Sequence, residues 1–251
     1  MAQERSPNQA IRLRLVWDFI DRHIGRELHD KIVAMIPLVT LNALLKREHP
    51  YLIKVGGARS ASEFIVAALD ETLNLYEEVV LADFLKKIAG FVCKETHAGR
   101  KSRKSGIDLE FKRGKRYYVV TINADPHISA VHQQGIQANF ARAIDGLSAS
   151  GEIAKESIIA IECSYFGKED VPRKLGYQRR CGQSFWKLLS GRDDLYRKLA
   201  APLNTISQER RTKLIVQRAQ KITLLTQEFS RRFSRNGLIQ RDRLVKYCFK
   251  S

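Results

Sequence analysis

Cysteine and histidine are sparse and scattered in this chain. The four cysteines, Cys93, Cys163, Cys181 and Cys248, form no CxxC pair, and none joins the six histidines at zinc-ligand spacing. This excludes a zinc module and a disulfide framework, and predicts reduced, buried thiols. Long apolar runs are missing too. Ile32–Leu45 carries no charge but contains Pro37, and it falls short of the roughly 20 apolar residues of a membrane span. The opening MAQERSPNQ has no apolar core behind its charges, so a cytoplasmic protein without a secretion signal is expected. There is no internal repeat and no low-complexity tract. At 251 residues and 44% hydrophobic content the chain can bury a real core, which excludes global disorder.

Acidic residues are also few. Against 27 Asp plus Glu stand 44 Lys plus Arg, a formal net charge of +17. The excess is spread through folded segments. Arg100, Lys101, Arg103 and Lys104 precede a strand, and Lys112, Arg113, Lys115 and Arg116 sit at a turn. Arg173, Lys174, Arg179 and Arg180 fill a later loop, and residues 206–251 hold 12 basic against three acidic residues. Basic clusters broken by Gly and Ser loops suit a groove along a polyanion, so nucleic-acid binding is expected over a merely solvated face. A membrane surface fits less well, because no strongly amphipathic basic helix with an aromatic face is present.

Residues Ala10 to about Arg47 read as helical, closed by His49-Pro50. Ser60 and Glu63 have capping-box spacing and open a helix through SEFIVAALDETLNLY. A second helix is expected over about Tyr76–Glu95, with Glu77 and Glu78 in its first turn, where carboxylates suit the helix dipole. SGIDLEF (105–111) and RYYVVTIN (116–123) read as two strands joined by the KRGK loop. Residues 128–147 are helical in pattern, 157–163 read as a buried strand, and 167–180 as a polar loop. Short helices follow at 184–189 and 193–199, then a long one over about 207–233. The expected class is α/β (α+β): a small mixed sheet flanked by helices, with a helical N-terminal arm (1–58), a core (59–203) and a helical C-terminal arm (204–251).

Strand alternation locates candidate chemistry. Asp108 and Glu110 share one face of their strand, opposite Ile107, Leu109 and Phe111. If Phe111 faces Arg116, Asp108 lies across from Val119 and diagonal to Thr121, at about 7–8 Å, near enough for several side chains to share one ion. A carboxylate on an apolar strand is costly unless paired, so Asp108 and Glu110 either serve a site or face solvent on an edge strand.

A helix bearing Glu, followed by a hairpin with Asp on its first strand, resembles the core of the PD-(D/E)XK nucleases. Nearly the whole chain resembles one group of type II restriction endonucleases, the PmeII-like set. The resemblance is carried by LNALLKREHPYLIK, EEVVLADFLKKIAGF, GIDLEFKRGKRYYVVTI, CSYFGKEDVPRKLGYQRRCGQSFWKLLSGRDDLYRKLAAPL and RFSRNGLIQRDRLVKY, in order and at similar spacing. It implies hydrolysis of double-stranded DNA at a specific site with Mg²⁺, by a homodimer that matches a palindromic site. It also implies that Asp108 binds the metal and that Glu77 or Glu78 completes the shell. The (D/E)XK element then falls on Thr121, Ile122 and Asn123. Thr121 replaces an acidic or small polar residue whose place near the metal a hydroxyl can take, and neutral Asn123 replaces the lysine.

Three explanations of Asn123 stand: an introduced substitution, natural loss of cleavage with DNA binding retained, or a cation supplied from elsewhere. For the last, Lys112 and Lys115 are nearest in sequence. The second makes the chain a DNA-binding module on a nuclease fold. An RNA-binding or ribosome-associated protein would account for the charge but not for the five blocks. Base or phosphate contacts are expected from Gln133, Gln137, Arg173, Lys174, Arg179 and Arg180, with Arg100, Lys101, Arg103 and Lys104 on phosphates. Trp17, Phe19, Ile20, Met35 and Ile36 are candidates either for dimerisation or for packing on their own chain.

Overall fold

The computed structural model describes residues 10–124, 129–149, 151, 153–168, 176–203 and 208–249, and it divides into two compact units. In chain order the helices are α1 (Leu13–Phe19), continuing into a π-helical turn Ile20–Ile24, α2 (Gly25–Met35), α3 (Leu41–Leu45), α4 (Pro50–Val55), α5 (Ala61–His97) and α6 (Ala130–Ser148). They continue with α7 (Gly182–Ser190), α8 (Leu195–Lys198), α9 (Ala200–Leu203), α10 (Gln208–Phe233) and α11 (Arg241–Cys248). The strands are β1 (Arg100–Lys101), β2 (Leu109–Arg113), β3 (Arg116–Asn123), β4 (Ile158–Ser164), β5 (Gln178–Cys181), β6 (Ser234–Arg235) and β7 (Leu238–Ile239). Among the described residues no helix is long and apolar enough to cross a membrane.

One unit contains residues 25–81 and 206–251 and is mainly helical. Its core joins Ile36, Leu41, Leu44, Leu45, Ile65, Leu69, Phe229 and Leu244, all at most 1% exposed. The capping box that opens α5 forms as expected: Ser60 Oγ accepts from Glu63 N–H (3.2 Å), and Glu63 Oε2 accepts from Arg59 N–H (2.8 Å). Arg241 donates to the carbonyls of Ile53 and Ala58, satisfying backbone acceptors where α4 ends.

The other unit contains residues up to 24 and 82–205 and holds the five-stranded sheet, ordered β1-β2-β3-β4-β5. β1/β2 and β2/β3 pair antiparallel, β3/β4 and β4/β5 parallel, so this is the mixed sheet flanked by helices that the sequence predicts. Alternation along β3 divides its two faces. Val119, with Ile158 and Ala160 of β4, packs under Ile136, Phe140, Ala143 and Leu147 of α6. On the opposite face Tyr118 stacks on Phe111 (4.7 Å), and His97 at the end of α5 stacks on Phe111 in turn (4.6 Å). Gly99 permits this approach, since a Cβ there would stand 2.3 Å from Cys93 Sγ. Phe19 stacks on Phe91 at 4.1 Å and Trp17 Nε1 donates to Lys198 O, while Ile20 in this unit and Ile36 in the other are each 1% exposed. Four of the five dimerisation candidates thus have partners on their own chain.

Three expectations need correction. The hairpin is tighter than the KRGK loop implied: Arg113 pairs with Arg116 around Gly114 and Lys115, with Gly114 at φ +60°, a conformation in which glycine lacks the usual Cβ penalty. Phe111 therefore faces Tyr118. Projected to the strand's start, the register sets Asp108 opposite Thr121 rather than Val119. Second, no new helix starts at Tyr76. α5 is one 37-residue helix, uninterrupted because no Pro lies within it and its first glycine is Gly90. Glu77 and Glu78 are mid-helix, where the dipole gives them no first-turn role. Third, the polar segment 167–180 contains an edge strand, β5.

Cys93, Cys163 and Cys181 are buried free thiols, and burial pushes Cys93 up to about 12. Burial also holds the His97 imidazole below its ordinary 6.5, with the proximity of Arg113 adding and a hydrogen bond with Leu188 O opposing. The unfolded chain protonates first as pH falls. The stability this histidine contributes is complete above about 6.5 and is lost as pH drops through that value toward the lower folded one. His97→Phe is expected to flatten the decline of Tm between pH 7 and pH 5; an unchanged slope in thermal denaturation would reject this origin.

Candidate active site

The end of the hairpin opposite the turn gathers polar groups on a hydrophobic base. Asp108, immediately before β2, has both carboxylate oxygens engaged. Oδ2 accepts from the backbone N–H of Ile122 at 2.6 Å, and Oδ1 lies 2.6 Å from Lys86 Nζ. The Asp108 side chain is 22% exposed and that of Lys86 44%, so the pair is open to solvent on one side. Thr121, opposite Asp108, is buried, and its hydroxyl donates to Gly106 O at 2.6 Å. Gly106 holds φ +76°, and a Cβ there would collide with Asn139, so that carbonyl is presented by a turn only glycine fits.

Asn123 at the end of β3 points to the neighbouring strand. Its Nδ2 donates to Glu162 Oε1 at 3.0 Å. Glu162 pairs with Thr121 in the β3/β4 register and is completely buried, with Arg179 Nε 3.2 Å from Oε2 in an ion pair outside hydrogen-bond geometry. A buried carboxylate requires such neutralisation. Sequence reading placed Glu162 only within an expected buried strand. Its pairing with Thr121 depends on two strands joined through α6.

The helix over this region also contributes. Lys86 is one turn beyond Ala82, whose carbonyl accepts from Tyr165 OH at 3.1 Å. Gly90, a further turn on, faces Leu109. These contacts hold α5 against β2 and β4 at the height where Lys86 meets Asp108. Burial pushes the Tyr165 phenol well up, and the charges of Asp108, Asp83 and Cys163 add to it. Asp83, next to Ala82 on α5, pairs with Lys87 at 3.4 Å. Lys86 was not singled out from the sequence. Its signal, a lysine on the acidic helix before the hairpin, had no partner until the helix was placed.

Glu77 and Glu78 sit on the stretch of α5 that belongs to the other unit; Glu77 is half-buried, with its carboxyl pushed up by burial, and Glu78 is exposed. Lys112 and Lys115 lie at the turn end of the hairpin, away from Asp108. Glu110, the acid within β2, is structural. Burial pushes its carboxyl up, but hydrogen bonds from Ser102, Tyr117 and Arg100 outweigh this and hold it below its usual range.

Among the described residues no three His, Cys, Asp or Glu side chains form a metal-binding cluster. Asp108, Thr121 and Glu162 offer hard oxygens, which suit Mg²⁺ rather than zinc. Mg²⁺ is commonly held by one or two carboxylates, with waters and substrate phosphates completing the shell. Asp108, partly exposed, fits that limited role; Glu162 is sealed and already neutralised.

Of the basic residues, Lys101 and Arg103 are exposed, Lys104 is half-buried, and Arg100 pairs with Glu110 while remaining 73% exposed. Gln137 is exposed on α6 and Gln133 half-buried. Arg180 lines a hollow with Arg113, Arg116 and Lys187, whereas Arg179 is turned onto Glu162 with its side chain 12% exposed. Arg173 and Lys174 lie outside the described residues.

An aspartate and a lysine meeting where a mixed sheet opens, in a strongly basic chain, is an arrangement suited to phosphodiester chemistry. Over residues 15–211, more than half its length, the sequence matches the type II restriction endonuclease EcoO109I family, and the chain belongs to that family. It is thus a restriction nuclease by family, with DNA as the substrate the family implies. No curated protein sequence matches it.

Proposed function

We propose that this chain is a site-specific deoxyribonuclease of the PD-(D/E)XK kind, in the PmeII-like group, hydrolysing duplex DNA with Mg²⁺ held at Asp108. The observation that carries this reading is the Asp108 carboxylate, pinned by Ile122 N–H and lying beside Lys86 at the open end of the hairpin. When bound there, Mg²⁺ polarises a phosphoryl oxygen and lowers the pKa of a water. Asp108 orients the cation, Thr121 fixes the strand beneath it through Gly106, and Asn123 immobilises Glu162. For the helix carboxylate we assign Asp83, in the same unit as Asp108 and next to the Ala82 carbonyl that anchors α5 on Tyr165, in preference to Glu77 or Glu78.

Phosphate contacts fall to Arg100, Lys101, Arg103, Lys104 and Arg180, with Gln133 and Gln137 as candidates for reading bases. The charge of Arg179 is committed to Glu162. Residues 59–203 form the catalytic core in this reading, with arms at 1–58 and 204–251. The working form is a homodimer, because two-fold symmetry cuts both strands of a palindrome.

Long duplex DNA of mixed sequence, incubated with the protein and Mg²⁺ or with EDTA, tests the proposal. Discrete fragments are expected with Mg²⁺ alone. Intact DNA that is merely retarded on a gel would overturn the nuclease reading and leave a DNA-binding module.

A further inference from the structure

We propose that Lys86 supplies the positive charge that position 123 lacks, so that the cation of the (D/E)XK element is delivered here from the helix instead of from the strand. This rests on the nuclease reading above. The geometry is specific: Lys86 Nζ is 2.6 Å from Asp108 Oδ1, the carboxylate to which the metal is assigned. The neighbouring cations have other partners. Lys87 is paired with Asp83, and Arg179 is buried on Glu162. Lys112 and Lys115 are at the far end of the hairpin. Lys86 is also placed by the fold, between the Tyr165–Ala82 hydrogen bond one turn before it and the Gly90–Leu109 approach one turn after it.

The chemistry needs a fixed cation there. Hydrolysis forms a bond from water oxygen to phosphorus and breaks the bond to the leaving sugar oxygen, with the water's proton passing through solvent to that oxygen. Negative charge builds on the phosphoryl oxygens meanwhile. A preorganised positive group beside them lowers the barrier, and removing one such group typically costs about 10²–10³ in rate. The four-carbon stem of lysine lets the ammonium leave Asp108 for a phosphate oxygen when cation and substrate arrive. Asn123, relieved of that duty, is the hydrogen-bond donor to Glu162.

The test compares the wild type, K86A, K86R and the double variant K86A/N123K. Three readouts are needed: Mg²⁺-dependent cleavage of long mixed-sequence duplex DNA, DNA retardation on gels, and Mg²⁺ titration by calorimetry. K86A is expected to lose about 10²–10³ in cleavage rate while still binding DNA. It should bind Mg²⁺ at least as tightly, because a cation competing for Asp108 is gone. A half-exposed ion pair contributes little to folding, so its Tm should barely move. K86R should retain much of the rate, and N123K should recover much of the loss in the K86A background.

If K86A cuts as fast as wild type, the role of Lys86 is rejected and the nuclease reading survives. If K86A loses both cleavage and Mg²⁺ affinity and N123K rescues neither, Lys86 only positions Asp108, and the proposal fails. A wild type that binds DNA and never cuts it overturns both readings.

Discussion

Asp108→Asn is expected to lower Mg²⁺-dependent cleavage by on the order of 10³ or more while the protein stays folded and still binds DNA, since a bound metal stabilises several kcal/mol of developing charge. Asn is the informative replacement. Its side-chain oxygen can still accept from Ile122 N–H, now bonded at 2.6 Å, so the backbone keeps its partner and only the charge is lost. Asp108→Ala would leave that N–H unsatisfied and mix in a structural cost of about 1–3 kcal/mol. Removing one negative charge from the proposed site should leave retardation unchanged or stronger. Calorimetry decides the metal's place: Mg²⁺ binding by the Asn variant equal to that of the wild type would reject Asp108 as its ligand.

The second large effect is on stability. Arg179→Ala removes the ion-pair partner of a fully buried Glu162, leaving Asn123 as its hydrogen-bond donor. Stranding a buried charge typically costs about 3–5 kcal/mol, and urea unfolding should show a loss of that order. Arg179→Met combined with Glu162→Gln removes both charges and should recover most of it, because the penalty belongs to the unpaired carboxylate rather than to the lost attraction. Equal losses in the single and double variants would mean that Arg179 acts through packing alone.

Much of the fold was legible before the structure. The strand expected at 116–123 is β3 to the residue, that expected at 157–163 is β4 shifted by one, and the helix expected over about 207–233 is α10. The two strands are short apolar, β-branched-rich runs and the helix has its own apolar period, so neighbouring residues agree on the same state. β5 was missed because Gln178, Arg179 and Arg180 have no apolar alternation; an edge strand is held by backbone bonds to β4, which any side chains permit. The continuity of α5 was missed because Glu77 and Glu78 read as the acidic first turn of a new helix, although they lie in the middle of an unbroken one.

The candidate site divides the same way. Asp108, Thr121 and Asn123 could be named from the hairpin and its resemblance to a nuclease core, because alternation along two adjacent strands is a local property. The register could not. A two-residue loop in place of four moved every cross-strand partner by two positions, and turn geometry rather than composition made that choice.

Charge, fold class and the identity of the acidic hairpin were therefore set by composition and short-range pattern. That Lys86 meets Asp108, that Asn123 turns to Glu162, and that Arg179 faces inward were decided by packing between segments separated by 17 to 39 positions. Those contacts depend on how closely a helix approaches a strand and on how two parallel strands align. Such distances emerge only once the core between the segments is filled.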